Sequence, residues 1–377
     1  MKLPPLSSVS NIFPKLKPQT DKNSKDGRPF SVVQIEVTSR CGTGCVFCPH
    51  DALSDRWVEG DMPLDLYRNC IVPHLNLFEL VYLQGWGEPM LHPDLWEMLE
   101  MAQGKGCKTG FTTNGAYLLD EQNQLLIDMG VNLISVSFAG SAASVHESLR
   151  TNSEFSQLCK NFESLANLKK KHGVDNPWLE LHFLMTRANL DDFPPLVELA
   201  VSLGADEIVA TNLAYSPSLA LDHKHVFAEQ PFPEDIEIIN QAKENAKRLN
   251  IPLRVYPLQV EPIILVCDAD PIHTVYVNHR GEVTPCVYLG LTVRGQIPRF
   301  YQGESHPFDT ISFWNVCDDF VRGLHGKERK KFIEAFEHRN LASSPLAMFT
   351  HLTGETEAGE LPPPPIPCQH CYKMLGI

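Results

Sequence analysis

Cys41, Cys45 and Cys48 stand in the run Thr38-Ser39-Arg40-Cys41-Gly42-Thr43-Gly44-Cys45-Val46-Phe47-Cys48-Pro49-His50. Three thiolates spaced Cys-x-x-x-Cys-x-x-Cys can hold three irons of a four-iron cluster and leave the fourth without a protein ligand. An iron with an open position is a place for chemistry, as an open position on zinc is. A closed four-cysteine site, by contrast, carries electrons or holds structure. The alternatives for this run alone are a zinc site, a disulfide framework or scattered core thiols. Zinc favours four protein ligands in paired Cys-x-x-Cys units, and this run supplies three in a different rhythm.

The elements that must position such a loop follow from the apolar pattern. β-Branched and apolar runs predict strands at Ser31–Val37, Leu80–Gln84, Lys108–Thr112, Leu133–Phe138, Leu179–Met185 and Glu207–Ala210. Helix-like segments lie between them at Leu64–Leu75, Pro93–Gly104, Glu121–Met129, Glu154–Lys171 and Leu190–Leu203. Strand and helix in repeated alternation imply an α/β fold with a parallel sheet, and six repeats fit a partial barrel. Polar and glycine-rich residues fall at the C-terminal ends of these strands: the cysteine loop, then Gly85-Trp86-Gly87-Glu88-Pro89, Thr112-Thr113-Asn114-Gly115, Ser137 with Gly140, Thr186 to Asn189, and Thr211-Asn212. In α/β barrels the strand C-termini form the face that carries the site. Six segments therefore converge on one mouth.

The chain has 377 residues, enough for two or three domains, and an ordinary globular apolar content. Its longest apolar runs are too short to span a bilayer. The first 28 residues lack the apolar core of a signal peptide and read as a flexible arm. Eleven cysteines without a secretion signal argue for a cytoplasmic protein with reduced thiols and metal rather than disulfides. The net charge of −14, from 32 basic and 46 acidic side chains, offers no footprint for nucleic acid. Lys169-Lys170-Lys171 reads as the solvated end of a helix or as a docking point for an acidic electron donor.

The cysteine run, with Phe47 before its third cysteine, resembles the signature of radical S-adenosylmethionine (SAM) enzymes. The resemblance implies a partial (β/α)6 TIM-like barrel over residues 29–260. It also implies a 4Fe–4S cluster whose open iron binds SAM, reductive cleavage to a 5′-deoxyadenosyl radical, and abstraction of a substrate hydrogen. Gly85-Trp86-Gly87-Glu88-Pro89 is similar to the family's Gly-Gly-Glu-Pro segment, which holds the methionine ammonium; that ammonium needs carbonyl or carboxylate partners in a dry site. Glu88 is a candidate partner or, alternatively, a helix cap. Trp86 replaces the first glycine and reads as packing beside the cluster or facing the core. Thr113 and Asn114 match positions that contact SAM, Ser137 is placed for the ribose hydroxyls, and Asn189 with Ile208–Thr211 for adenine and ribose. Arg150 matches a basic residue that pairs with the SAM carboxylate, or else makes a surface salt bridge. Where relatives read Ser-x-Asp-Gly, this chain has Ser137-Phe138-Ala139-Gly140, without the acid.

Cys267, Cys286, Cys368 and Cys371 resemble in order the auxiliary-cluster half-domain called twitch, a shortened SPASM domain. The resemblance implies a second, fully ligated 4Fe–4S cluster in residues 261–377, with a zinc thiolate site as the alternative. A hairpin is expected from His273 to Cys286 with Gly281 at its turn, helices around Ser312–Arg322 and Lys327–His338, and a stiff proline-rich linker at Gly354–Pro367. Cys317 reads as a further ligand or a buried helical residue; Cys70, Cys107 and Cys159 read as small core residues. His50 and His370 flank cluster cysteines. The implied function is a radical SAM oxidoreductase of SPASM/twitch type served by a reducing flavodoxin or ferredoxin. Its substrate is a peptide or protein, as for maturases, which the Gly-Trp-Gly-Glu-Pro and Cys-x-x-Cys-Tyr-Lys segments also resemble. The alternatives are a small-molecule alcohol dehydrogenase of the same type and a non-enzymatic iron–sulfur or zinc protein.

Overall fold

The computed structural model describes residues 27–261, 264–342 and 361–377. Almost all of the N-terminal arm and the Gly354–Glu360 part of the linker lie outside them. The six expected strands form as β1 (Phe30–Ile35), β2 (Phe78–Tyr82), β3 (Lys108–Thr113), β4 (Leu133–Phe138), β5 (Trp178–Met185) and β6 (Glu207–Asn212). Every residue of β4 is buried, as the continuous apolar run of a strand covered on both faces demands. Three-residue β7 (Leu253–Val255) extends the sheet beyond β6, and β8 (Thr274–Val277) joins its other edge beside β1. Pairing from β8 through β1 to β7 is parallel throughout, with Val33 opposite Val275 on one side and Val81 on the other. β9 (Glu282–Thr284) and β10 (Trp314–Asn315) add antiparallel strands outside β8. The sheet does not close: β7 and β10 are its ends. It is the open, partial barrel that the alternation implied.

Helices α1 (Leu95–Gly104), α2 (Asp120–Asp128), α3 (Phe155–His172), α4 (Phe193–Leu203) and α5 (Pro233–Leu249) connect the strands and bury one apolar face each. Met98, Leu99 and Ala102 of α1 and Phe162 and Leu165 of α3 are fully buried in the central core. Lys169 is not solvated: its side chain is 13% exposed and pairs with Asp206. The expected helix Leu64–Leu75 is instead a single helical turn, a π turn at Tyr67–Ile71 and a 3-10 turn at Val72–Leu77. Pro73 removes a backbone donor there and prevents a regular helix. Among the described residues no helix is long and apolar enough to cross a membrane.

The hairpin turns at Gly281 (φ +80°), a conformation that side chains rarely tolerate. Of the two helices expected after it, α6 (Lys327–Ala342) forms, whereas Ser312–Arg322 splits into β10, a turn and the short helix Phe320–Leu324. β10 pairs with β9 and so brings Cys317 to the π turn. Cys317 is disulfide-bonded to Cys70, with Cα atoms 5.0 Å apart. This corrects the reading of both residues: neither is a core thiol or a ligand. Cys107 is buried as expected and its thiol donates to the Leu75 carbonyl. Cys317→Ala therefore leaves the iron content of reconstituted protein unchanged; a loss of iron by metal analysis would return Cys317 to the ligand set.

Candidate active site

The cysteine loop is clamped to the segment after β4. Gly44–Cys45 pairs antiparallel with Arg150–Thr151, Val46 N donates to the Leu149 carbonyl (3.0 Å), and Thr151 Oγ1 donates to the Gly44 carbonyl (2.7 Å). Cys45 is buried and Cys41 and Cys48 half-buried; all three are free thiols. Cys41 Sγ makes a long contact to the Thr43 carbonyl (3.9 Å), and the His50 backbone N–H donates to the sulfur of Cys48. Burial pushes the Cys48 thiol up, and the charges of Cys45 and Cys41 push it further. The three sulfurs therefore feel one another in a dry loop. Such a set gains most from a cationic partner that holds all three as thiolates.

Glu88 lies beside this loop, 2% exposed. Its Oε1 accepts from Thr113 Oγ1 (2.8 Å) and Met90 N (3.1 Å), and its Oε2 from Asn114 N (2.7 Å). Asn114 Nδ2 in turn donates to Thr43 Oγ1 between the first two cysteines. Glu88 thus caps the Pro89–Leu91 turn and also ties the ends of β2 and β3 together. Burial raises its pKa against these donors, so it retains demand for a cation. Gly87 permits the approach: a Cβ there would sit 2.2 Å from the Thr38 carbonyl oxygen. A Cβ on Gly85 would strike the side chain of Glu36.

Arg150 is 8% exposed, its guanidinium lies 5.5 Å from the Phe47 ring centre, and its Nε has no hydrogen-bond partner. It is a buried cation facing inward, not a surface salt bridge. With Ser137 it lines a cavity of ≈ 270 Å³ inside the barrel, which also meets Thr112, His182, Thr211 and Cys286. Asn189 is committed elsewhere. Its Oδ1 accepts from Thr186 N and Oγ1, and its Nδ2 donates to the Ala139 and Leu184 carbonyls. It shapes the ends of β4 and β5. The acid missing at Ala139 has a neighbour in Asp192, which accepts from both Ser141 N and Ser141 Oγ. His182 was not expected at the site. Burial, then the charges of Arg150, Arg254 and Lys373, pushes its pKa down to about 3, so it presents a neutral ring.

Residues 35–200 match the family model of the radical SAM superfamily. Over these residues the chain carries a radical SAM domain. It is 26% identical over 299 residues to the tungsten-containing aldehyde ferredoxin oxidoreductase cofactor-modifying protein of Pyrococcus furiosus, covering 78% of this chain and 80% of that one. Among solved structures, anSMEcpe with bound AdoMet has a TM-score of 0.57 at 15% identity, covering 81% of this chain and 83% of that one. Streptococcus suis SuiB bound to S-adenosylmethionine has a TM-score of 0.54 at 14% identity, covering 69% of this chain and 61% of that one. SuiB is also solved with the precursor peptide SuiA. At these identities the structures show a shared fold. The family implies a 4Fe–4S cluster and SAM. The three partner-poor thiols, the buried Glu88 and the unsatisfied Arg150 are donors of the kind these groups require.

The radical SAM domain faces a second thiol set. Cys267, Cys286 and Cys368 share an apolar cluster with Leu289, Phe336 and Met374. Burial raises all three thiols, Cys286 to about 12, and each is raised further by its cysteine neighbours, Cys371 included. The three buried thiols and the half-buried Cys371 are thus neighbours, although among the described residues no group of three or more His, Cys, Asp or Glu side chains is placed to hold a metal ion.

Glu36 and Trp86 join the two regions. Glu36, 1% exposed, accepts from Trp86 N (2.9 Å), Tyr276 OH (3.2 Å) and His279 Nδ1 (3.0 Å). Trp86 Nε1 donates to the carbonyl of Val287, next to Cys286 (3.1 Å), and its ring packs against Tyr288 and Tyr215. The only sequence signal for Glu36 was a carboxylate inside an apolar strand. Trp86→Phe keeps the ring but loses the donor, costing about 1 kcal/mol, whereas Trp86→Ala costs about 3 kcal/mol or more. Denaturant titration of the reconstituted protein checks the order; equal losses would mean that the ring contributes nothing.

Proposed function

We propose that Cys41, Cys45 and Cys48 hold the SAM-binding 4Fe–4S cluster, and that Cys267, Cys286, Cys368 and Cys371 hold an auxiliary 4Fe–4S cluster. The enzyme would then oxidise a peptide or protein substrate in a maturase-like modification. When bound, these groups supply the electron that cleaves SAM to methionine and a 5′-deoxyadenosyl radical, and an acceptor for the electron a substrate radical gives up. The observation that carries this reading is the cavity: Cys286 of the second thiol set lines it together with Ser137 and with Arg150, whose backbone pairs with that of Cys45 in the first.

The residues have distinct tasks. Glu88 and the Gly85–Pro89 loop receive the SAM ammonium, Arg150 its carboxylate, Thr113 and Asn114 hold the loop closed, and Ser137 meets the ribose. The cavity walls exclude water from the reacting carbon. With these groups bound, the chemistry supplied would be a two-electron oxidation of the substrate, one hydrogen atom followed by one electron and one proton. A flavodoxin or ferredoxin is the expected source of the reducing electron.

A peptide substrate accords with SuiB, which binds the precursor peptide SuiA, and a maturase-like role accords with the Pyrococcus relative, named as a cofactor-modifying protein. A small-molecule alcohol is the second reading. At ≈ 270 Å³ the cavity lies below the ~300–1,000 Å³ of pockets that enclose whole ligands, so it suits a compact alcohol or a single side chain entering from a peptide. Anaerobic reconstitution should give about eight irons per chain, and reduction with SAM should release 5′-deoxyadenosine. Deuterium passing from a labelled candidate into that product would identify the substrate. Zinc alone in the protein and intact SAM would sink the proposal.

A further inference from the structure

Arg299 is 3% exposed and makes no ion pair among the described residues. Its Nη1 donates to the carbonyl of Pro367, the residue before Cys368. Its Nη2 is buried without any hydrogen-bond partner. The guanidinium lies over Phe308, 4.2 Å from the ring centre, and 5.9 Å from that of Tyr215. Phe308 packs in the same apolar cluster as Cys267, Cys286 and Cys368. Among the described residues no carboxylate lies within the 4.0 Å of an ion pair with Arg299.

The other buried cations of this region are provided for. Lys373 pairs with Asp268 at 2.9 Å. Arg329 donates to the Leu324, Pro271 and Ile272 carbonyls, and Arg339 to those of Leu265, Ile264 and Pro362. Arg299 alone among them keeps a buried donor in reserve. A buried, unpaired guanidinium is costly, and a ring face compensates only partly. The chain would carry this cost without return unless an anion forms nearby. The neighbouring thiol groups are a source of such an anion, since a centre held by four thiolates is negatively charged and becomes more so on reduction.

We propose that Arg299 is the counter-cation of the auxiliary centre and that its fixed charge raises the reduction potential of that centre. The proposal rests on the reading of Cys267, Cys286, Cys368 and Cys371 as cluster ligands. Its physical content is simple: a cation held in a low-dielectric nest favours whichever redox state bears more negative charge. An auxiliary centre tuned upward in this way accepts an electron from a substrate radical more readily.

The test is an EPR-monitored redox titration of the full chain, reconstituted anaerobically, in three forms: parent, Arg299→Lys and Arg299→Gln. The parent and Arg299→Lys should titrate alike, and Arg299→Gln should show the auxiliary midpoint shifted to more negative potential. The midpoint of the SAM-binding cluster should not move. Loss of auxiliary iron in Arg299→Gln, with full iron in Arg299→Lys, would also support the charge. An unmoved auxiliary midpoint in Arg299→Gln at full iron content would overturn the proposal. So would loss of iron in both variants, which would assign Arg299 to the Pro367 contact alone. A parent that loads only about four irons would instead overturn the auxiliary-cluster reading itself.

Discussion

Cys45→Ala should abolish SAM cleavage and lower the iron content of reconstituted protein from about eight to about four per chain. The backbone of Cys45 pairs with Arg150 and its Cβ remains in alanine, so the clamp on the loop survives. Only the middle thiolate is lost, and two thiolates do not hold a four-iron cluster. The second thiol set lies apart, around Phe336 and Met374, and the cluster proposed there should be unaffected. Iron analysis and chromatography for 5′-deoxyadenosine read the two effects separately. Residual deoxyadenosine at more than a few per cent of the parent rate would show that the radical does not arise at this loop.

Glu88→Gln should weaken SAM binding by about 10- to 100-fold. The carboxylate accepts three protein hydrogen bonds and still presents a negative charge towards the loop. The amide keeps one oxygen but offers an N–H to a donor and no charge to an ammonium. A hydrogen bond to a charged group contributes about 1.5–3 kcal/mol, which is that range of affinity. Glu88→Ala goes further, because Thr113 Oγ1 and the Asn114 amide then lose their buried acceptor at about 1–3 kcal/mol each. Equilibrium binding of SAM to reconstituted variants measures the difference. A dissociation constant within twofold of the parent for Glu88→Gln would reduce Glu88 to the cap of the Pro89–Leu91 turn.

The six barrel strands were legible because each is a largely buried β-branched or apolar run, and β4, buried throughout, was read to the residue. β7 was not, since Leu253-Arg254-Val255 is three half-buried residues with a charge in the middle. The site was legible where it sits at strand ends: Glu88, Thr113 and Asn114 come from two neighbouring strands and meet within hydrogen-bond distance. It was opaque where its partners are remote. Glu36 is separated from Tyr276 by 240 positions and from His279 by 243, and no local pattern announces such a contact. Arg299 is one charged residue in an irregular segment until the fold removes it from water. Cys70 and Cys317 looked like isolated thiols because β10, which brings them together, is only two residues long.

The carboxylate of Glu36 also bears on how this protein could be recombined. A chimera that spliced a foreign C-terminal region onto this barrel at Glu261 would leave Glu36 and Trp86 N behind and discard Tyr276, His279 and the Val287 carbonyl. It would also strip β8 from the edge of β1. The graft would expose a sheet edge and bury a charge with one donor left out of three. A working exchange has to begin after Tyr288, so that the donor keeps the hairpin of the host and only the segments beyond it are traded.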